Sequence, residues 1–241
     1  PAEGLVETAA PFRTLRTIVI DPGHGGTEPG CIGVAGVAEK ELTLKLSRRL
    51  ADRLRAEDPT VDVLLTRDAD VFVALERRAG IANAASADVF VSVHFNCAVN
   101  TAALGVETYY LAVEGTAPCE LVPGLESEGP ACWDGASVAG TIERGIVEDL
   151  RRASATRWSA RLADEVQAAL LAATRMTDRG VKQERFRVLR GLRMPGVVAE
   201  LGFLTHAREG KRSLTSARLN ALVDGLVAGL RRFDAVSPTF D

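Results

Sequence analysis

Two rhythms of hydrophobic and polar positions alternate along the chain, short β-branched runs that stop at Pro or Gly and longer stretches with an apolar residue every fourth position. Thr17 to Asp21 is a run of the first kind, ended by Pro22-Gly23, and reads as a buried strand stopped by a loop. Between Glu39 and Glu57 the residues Leu42, Leu46, Leu50 and Leu54 recur every fourth residue among charges, which predicts an amphipathic helix with Glu39 in its first turn. A second strand is predicted over Val61 to Thr66, a helix over Ala74 to Ala85, a third strand over Asp88 to His94 and a fourth over Gly105 to Leu111.

The rhythm breaks from Ala112 to about Ser154, a stretch with Pro118, Pro123 and Pro130 followed by a weakly helical run through Leu150; it reads as an insertion. Regularity resumes with a helix over Ala155 to Thr174, a strand over Gly196 to Leu201 and a helix over Ser216 to Phe233 whose start is cap-compatible. Strand-helix-strand alternation requires helical crossovers to return strands in the same direction. The expectation is therefore a single α/β domain with a mostly parallel, mixed central sheet flanked by helices. Residues 1–16 read as an N-terminal linker, and 17–241 as the folded domain carrying the insertion at about 112–154.

Length and composition exclude several classes of function. The 241 residues, 46% hydrophobic and 25% charged, belong to a packed globular chain. With 29 Lys and Arg against 32 Asp and Glu there is no basic excess, which disfavours nucleic acid and anionic lipid as partners. The apolar runs are too short to cross a bilayer, so a transmembrane span is not expected, and nothing points to an obligate oligomer rather than a monomer. The HExxH helix, the GxSxG elbow and the GxxxxGK[ST] phosphate loop are all missing.

Of three histidines, His24 and His94 stand at the carboxyl ends of predicted parallel strands, where open α/β sheets bind ligands. Two imidazoles and a carboxylate suit a catalytic zinc, which takes three protein ligands and keeps one position for water. Glu39 is the candidate carboxylate; Glu28 and Glu41 are alternatives, and a first-turn Glu is equally explained by the helix amino end. Glu200 lies alone in the apolar run Val197 to Phe203, where an unpaired charge is costly. Beside a metal it suits a general base and acid; otherwise it would pair with an arginine such as Arg67 or Arg185.

Ile20 to Gly26, Glu39-Lys40, Leu65 to Arg67, Ser92 to Asn96 and Glu200 to Phe203 together resemble the ordered motifs of the zinc-dependent N-acetylmuramoyl-L-alanine amidases, the type 3 catalytic domain of bacterial cell-wall amidases. The resemblance spans about Thr17 to Phe233. It implies a phosphorylase/hydrolase-like α/β fold, Zn2+ bound by His24, Glu39 and His94, and Glu200 as the catalytic acid and base. It also implies a peptidoglycan substrate cleaved between N-acetylmuramic acid and L-alanine, with export to the periplasm or cell surface as in autolysins. Asn96, Arg67 and Gln183 are further candidates for orienting ligands or substrate, and no metal is expected at His206.

Family members commonly carry alanine where this chain has Cys31 and Cys97, and the expectation is a Cys31–Cys97 disulfide with Cys119–Cys132 stapling the insertion. Some members also carry an active-site-covering helix where the insertion falls. Here the insertion holds Glu114, Glu120, Glu126, Glu128, Glu143 and Glu148. One of these would occupy the open metal position until an activator protein withdraws the segment.

Overall fold

The computed structural model describes residues 12–112 and 142–238, with backbone only over 142–152. Its strands are β1 (Thr17–Pro22), β2 (Asp62–Leu65), β3 (Val89–Asn96), β4 (Val106–Leu111), β5 (Asp178–Glu184) and β6 (Gly196–Phe203). Its helices are α1 (Glu39–Glu57), α2 (Leu75–Ala84), α3 (Ile142–Thr174), α4 (Glu209–Ser213) and α5 (Ser216–Val236), with a single 3-10 turn at Arg187–Leu189. One sheet forms in the order β2-β1-β3-β6-β4-β5. β2, β1, β3 and β6 are mutually parallel, β4 runs antiparallel to β6, and β5 lies parallel to β4 at the edge. This is the mixed α/β sheet expected from the alternation of elements.

Side-chain alternation divides each strand between two faces. Ile18 and Ile20 of β1, Val91 and Val93 of β3 and Val197 and Ala199 of β6 share one core with Leu46 and Leu50 of α1, Val166 and Leu170 of α3 and Leu222 and Leu226 of α5. Each such fully buried aliphatic side chain contributes about 1.5–3 kcal/mol. α3 and α5 pack closely because α5 offers Gly225 and Gly229, where an added Cβ would stand 2.9 Å from the Leu170 Cα and 2.7 Å from the Val166 Cα.

The opposite face has a smaller apolar core of Val19, Phe90, Tyr109, Phe186, Leu189 and Val198. Further along the same strands, toward the carboxyl ends of β1, β3 and β6, the residues on this face become Asp21, Ser92, His94 and Glu200, joined by Glu107 of β4. The functional candidates gather there.

Two boundaries differ from the sequence reading. Residues 12–16, expected as linker, belong to the packed fold: Phe12 and Leu15 are buried, and the amides of Arg13, Thr14 and Leu15 donate to the Asp234 carboxylate of α5 at 2.6, 2.8 and 2.9 Å. At the other boundary, α3 begins at Ile142, so the end of the expected insertion is the start of a 33-residue helix. Residues 113–141, with Cys119 and Cys132 and the carboxylates of Glu114, Glu120, Glu126 and Glu128, lie outside the described residues. β4 leads into them from its Leu111 end, next to the start of β6 and away from Glu200.

Candidate active site

β1 ends in a glycine-rich turn that places His24 in a left-handed conformation, φ 59°. A non-glycine residue holds that conformation when its surroundings over-determine it. Two buried arginines do so. Arg78 of α2 donates to the carbonyls of Val73 (2.9 Å), Pro22 (2.7 Å) and His24 (2.8 Å), and to the Asp21 carboxylate at 2.9 Å. Arg67 donates to the carbonyls of Pro22 (3.0 Å), Gly23 (2.7 Å) and Lys40 (2.9 Å), and to the Thr43 hydroxyl. Burial, aided by the charge of Arg78, pushes the Arg67 guanidinium down to about 10. Asp21 also accepts from the hydroxyls of Ser92 (2.7 Å) and Thr66.

Glu39 opens α1, where a carboxylate is favoured by the helix amino end. Its Oε2 accepts the Cys31 amide at 2.9 Å and stands 3.1 Å from His24 Nε2; its Oε1 accepts the Phe95 amide at 2.9 Å and stands 3.1 Å from His94 Nδ1. Burial by itself would raise the Glu39 pKa, but hydrogen bonds and attraction from His24 and His94 outweigh it and hold the carboxyl well below the usual carboxylate range. The two imidazole rings meet edge to face with centroids 5.0 Å apart. Gly23 is required here, because a Cβ at that position would come within 2.3–2.6 Å of the His94 ring.

A disulfide between Cys31 and Cys97 joins the loop before α1 to the end of β3, the pairing expected for these two departures from the family pattern under oxidising conditions. It links the segment whose amide holds Glu39 to the strand that carries His94.

The strand register brings Glu200 directly opposite His94 on one side and Glu107 on the other. Both carboxylates are buried, each 2% exposed. Glu107 accepts from Asn96 Nδ2 at 2.5 Å, Arg179 Nε at 2.9 Å and Lys182 Nζ. Burial works to raise the Glu107 pKa, yet Lys182 and Arg179 lower it overall. Tyr109, on the same face, has its phenol pushed far up by burial and by the negative charges of Glu107 and Glu200.

His24, Glu39, His94, Glu200 and Asn96 thus come together in one place, and Arg67 supports the turn beneath. Gln183 does not join them. It pairs with Tyr110, so its side chain leaves the face that carries Glu107, Tyr109 and Lys182. His206 lies in the loop after β6, where its Nδ1 accepts the Glu209 amide at 3.0 Å. Asp21, Arg78, Glu107 and Tyr109 were not singled out from sequence. Of these only Glu107 carries a sequence signal, an acid set within a β-branched and aromatic strand as Glu200 is set within its apolar run.

His24, Glu39 and His94 each offer one ligand atom, these atoms lie within 4.8 Å of one another, and all three residues are buried. Two imidazoles plus one carboxylate is a donor set that fits a catalytic divalent metal with one position left open.

A family model described as N-acetylmuramoyl-L-alanine amidase matches residues 18–232. The chain is 30% identical over 233 residues to the uncharacterized protein YqiI of Bacillus subtilis strain 168, covering 94% of this chain and 92% of that protein. It is 27% identical over 226 residues to N-acetylmuramoyl-L-alanine amidase AmiA of Escherichia coli K12, covering 91% of this chain and 78% of AmiA. Among solved structures, the N-acetylmuramoyl-L-alanine amidase of Clostridium difficile 630 aligns with a TM-score of 0.71 and 28% identity, over 94% of this chain and all of that one. With the motifs, the fold and a match over most of its length in agreement, the chain belongs to the N-acetylmuramoyl-L-alanine amidase family.

Proposed function

We propose that this protein hydrolyses the amide bond between the lactyl group of N-acetylmuramic acid and L-alanine in peptidoglycan, with Zn2+ held by His24, Glu39 and His94 and with Glu200 as the acid and base. The observation that carries the reading is the register pairing of Glu200 with His94, which sets a buried carboxylate beside a buried His-Glu-His donor set.

When bound, zinc lowers the pKa of a water molecule toward about 7 and polarises the scissile carbonyl. The protein supplies the rest. Glu200 accepts the proton released as water attacks the lactyl carbonyl, and delivers it to the L-alanine nitrogen as the C–N bond breaks. A glycan ending in a free lactyl carboxylate and a peptide with a free amino terminus result. Arg67 and Arg78 fix the backbone on which His24 stands, while the Cys31 and Phe95 amides fix Glu39, so the ligand set is oriented before any metal arrives.

A wall substrate places the enzyme outside the cytoplasmic membrane, in the periplasm or at the cell surface. The Cys31–Cys97 disulfide supports an oxidising location, and no helix among the described residues is long and apolar enough to cross a membrane. In the same proposal the chain from Phe12 onward forms the catalytic unit, and the insertion restricts access until an activator withdraws it. Residues 113–141 have the length to return from the Leu111 end of β4, at about 3.3 Å per extended residue. Removing residues 115–140 is then expected to raise turnover, and unchanged turnover in a folded variant removes the gate.

Dye release from labelled peptidoglycan tests the reading. Release by the zinc-loaded protein that is lost on chelation and in Glu200→Gln supports both assignments. Full release by Glu200→Gln removes Glu200 from the chemistry.

A further inference from the structure

The flanks of the site differ in chemistry. On the β1 and β2 side, the exposed Val71 and Phe72 pack their backbone over the glycine turn of His24: a Cβ on Gly26 would stand 2.5 Å from the Phe72 nitrogen. On the β4 and β5 side stand two cations. Arg179 Nε and Lys182 Nζ converge on one oxygen, Glu107 Oε2, and their side chains are 35% and 38% exposed. Arg179 lies over the Phe203 ring at 4.8 Å and Lys182 over the Tyr109 ring at 5.5 Å, contacts that hold both heads in place.

Two positive charges meet one Glu107 carboxylate, and each cation has donors beyond the one it gives to Glu107. The guanidinium of Arg179 uses Nε for that bond, which leaves its Nη fork for another carboxylate.

Strand order fixes which part of the substrate meets this pair. Glu200 on β6 lies on the β4 and β5 side of His94. If Glu200 protonates the L-alanine nitrogen, the peptide must leave the scissile bond over β4 and β5, and the sugar must lie toward Val71 and Phe72. Neighbouring strands are about 4.8 Å apart, so the cations that reach back to Glu107 stand roughly one strand spacing from Glu200. That is about the span from the L-alanine nitrogen to the α-carboxylate of the γ-linked glutamyl residue that follows L-alanine.

We propose that Arg179 and Lys182 form a carboxylate-binding subsite for the second residue of the stem peptide, making the enzyme prefer a free α-carboxylate there over its amide. The inference rests on the amidase reading and adds to it a specificity at a named position.

The test compares two probes, N-acetylmuramoyl-L-alanyl-D-isoglutamate and its isoglutamine counterpart, which differ only in that carboxylate and carry no third residue. For the zinc-loaded wild type, kcat/KM is expected to favour the carboxylate probe about tenfold, the low end for a charge-assisted pair at a half-exposed site. In Arg179→Gln and Lys182→Gln the ratio should fall toward one. Because each protein is compared with itself on two probes, a general loss of folding cancels from the ratio.

Calorimetric binding of both probes to metal-free protein gives the same ratio without turnover. A wild-type ratio near one, or a preference kept in both variants, overturns the subsite and leaves the amidase reading intact. Turnover of neither probe by the wild type or by the variant lacking residues 115–140, with preferential binding of the carboxylate probe that is lost in the variants, contradicts the reaction and supports the subsite.

Discussion

Arg78 Nη2 donates to the main-chain carbonyl of His24 at 2.8 Å, so a side chain of α2 sets the backbone of a candidate metal ligand fifty-four residues away. The same guanidinium faces Asp21 across a buried pair in which the side chains are 1% and 0% exposed. A buried ion pair offers little net stability over an apolar replacement, whereas loss of one partner leaves a charge without compensation.

Arg78→Met is therefore expected to lower unfolding free energy by about 3–5 kcal/mol and zinc affinity by roughly 10–100-fold, since it removes support behind a ligand. Urea denaturation and competition with a chromophoric chelator measure the two effects. Arg78→Met combined with Asp21→Leu should regain part of the stability and none of the affinity. Wild-type affinity in Arg78→Met would show that the His24 turn holds itself.

The Cys31–Cys97 bond closes a loop of sequence separation 66. Cys31→Ala with Cys97→Ala is expected to cost about 2–4 kcal/mol. Mass spectrometry of denatured protein alkylated without reductant should find Cys31 and Cys97 unmodified; alkylation of either contradicts the linkage. The double variant should also bind zinc more weakly, because the Cys31 amide that holds Glu39 is no longer tied to β3.

Asp234 anchors residues 13–15 by accepting three consecutive amides. Burial opposes ionisation, but the Arg13, Leu15 and Thr14 amides outweigh it and keep the carboxyl below its ordinary value. A pKa lower in the folded state than in the unfolded one gives stability that is complete above the unfolded value, about 3.9, and is lost as pH falls through the folded value. Asp234→Asn should reduce stability at neutral pH by about 1–3 kcal/mol and flatten its fall below pH 4, read from urea midpoints across pH. An unchanged acid limb would place the pH dependence elsewhere.

The parts legible in the sequence are those where local pattern and tertiary role coincide. β1, β3 and β6 are continuous apolar runs because both faces of a central parallel strand are covered, and α1 shows its buried Leu stripe directly. His24, Glu39, His94 and Glu200 stood out because each interrupts or ends such a pattern. β5 did not stand out: Asp178 to Glu184 is polar, contains Gly180 and is only half-buried, as befits an edge strand whose role is to carry Arg179 and Lys182.

Phe12 and Leu15 lay among polar residues, and their burial depends on Asp234 at the far end of the chain. The face that Gln183 takes is not legible from its place in the sequence; only the pairing with Tyr110 gives it. The Asp21–Arg78 pair was invisible for the same reason, since nothing local marks two residues fifty-seven apart as neighbours.

Hydrolysis of purified peptidoglycan in 18O-labelled water, followed by mass spectrometry of both product classes, tests the central claim most directly. The expected result is one heavy oxygen in the lactyl carboxylate of the glycan fragments, unlabelled peptides beginning with L-alanine, and neither product from Glu200→Gln. Heavy oxygen in a peptide carboxylate, with the muramyl–alanine bond intact, would contradict the account.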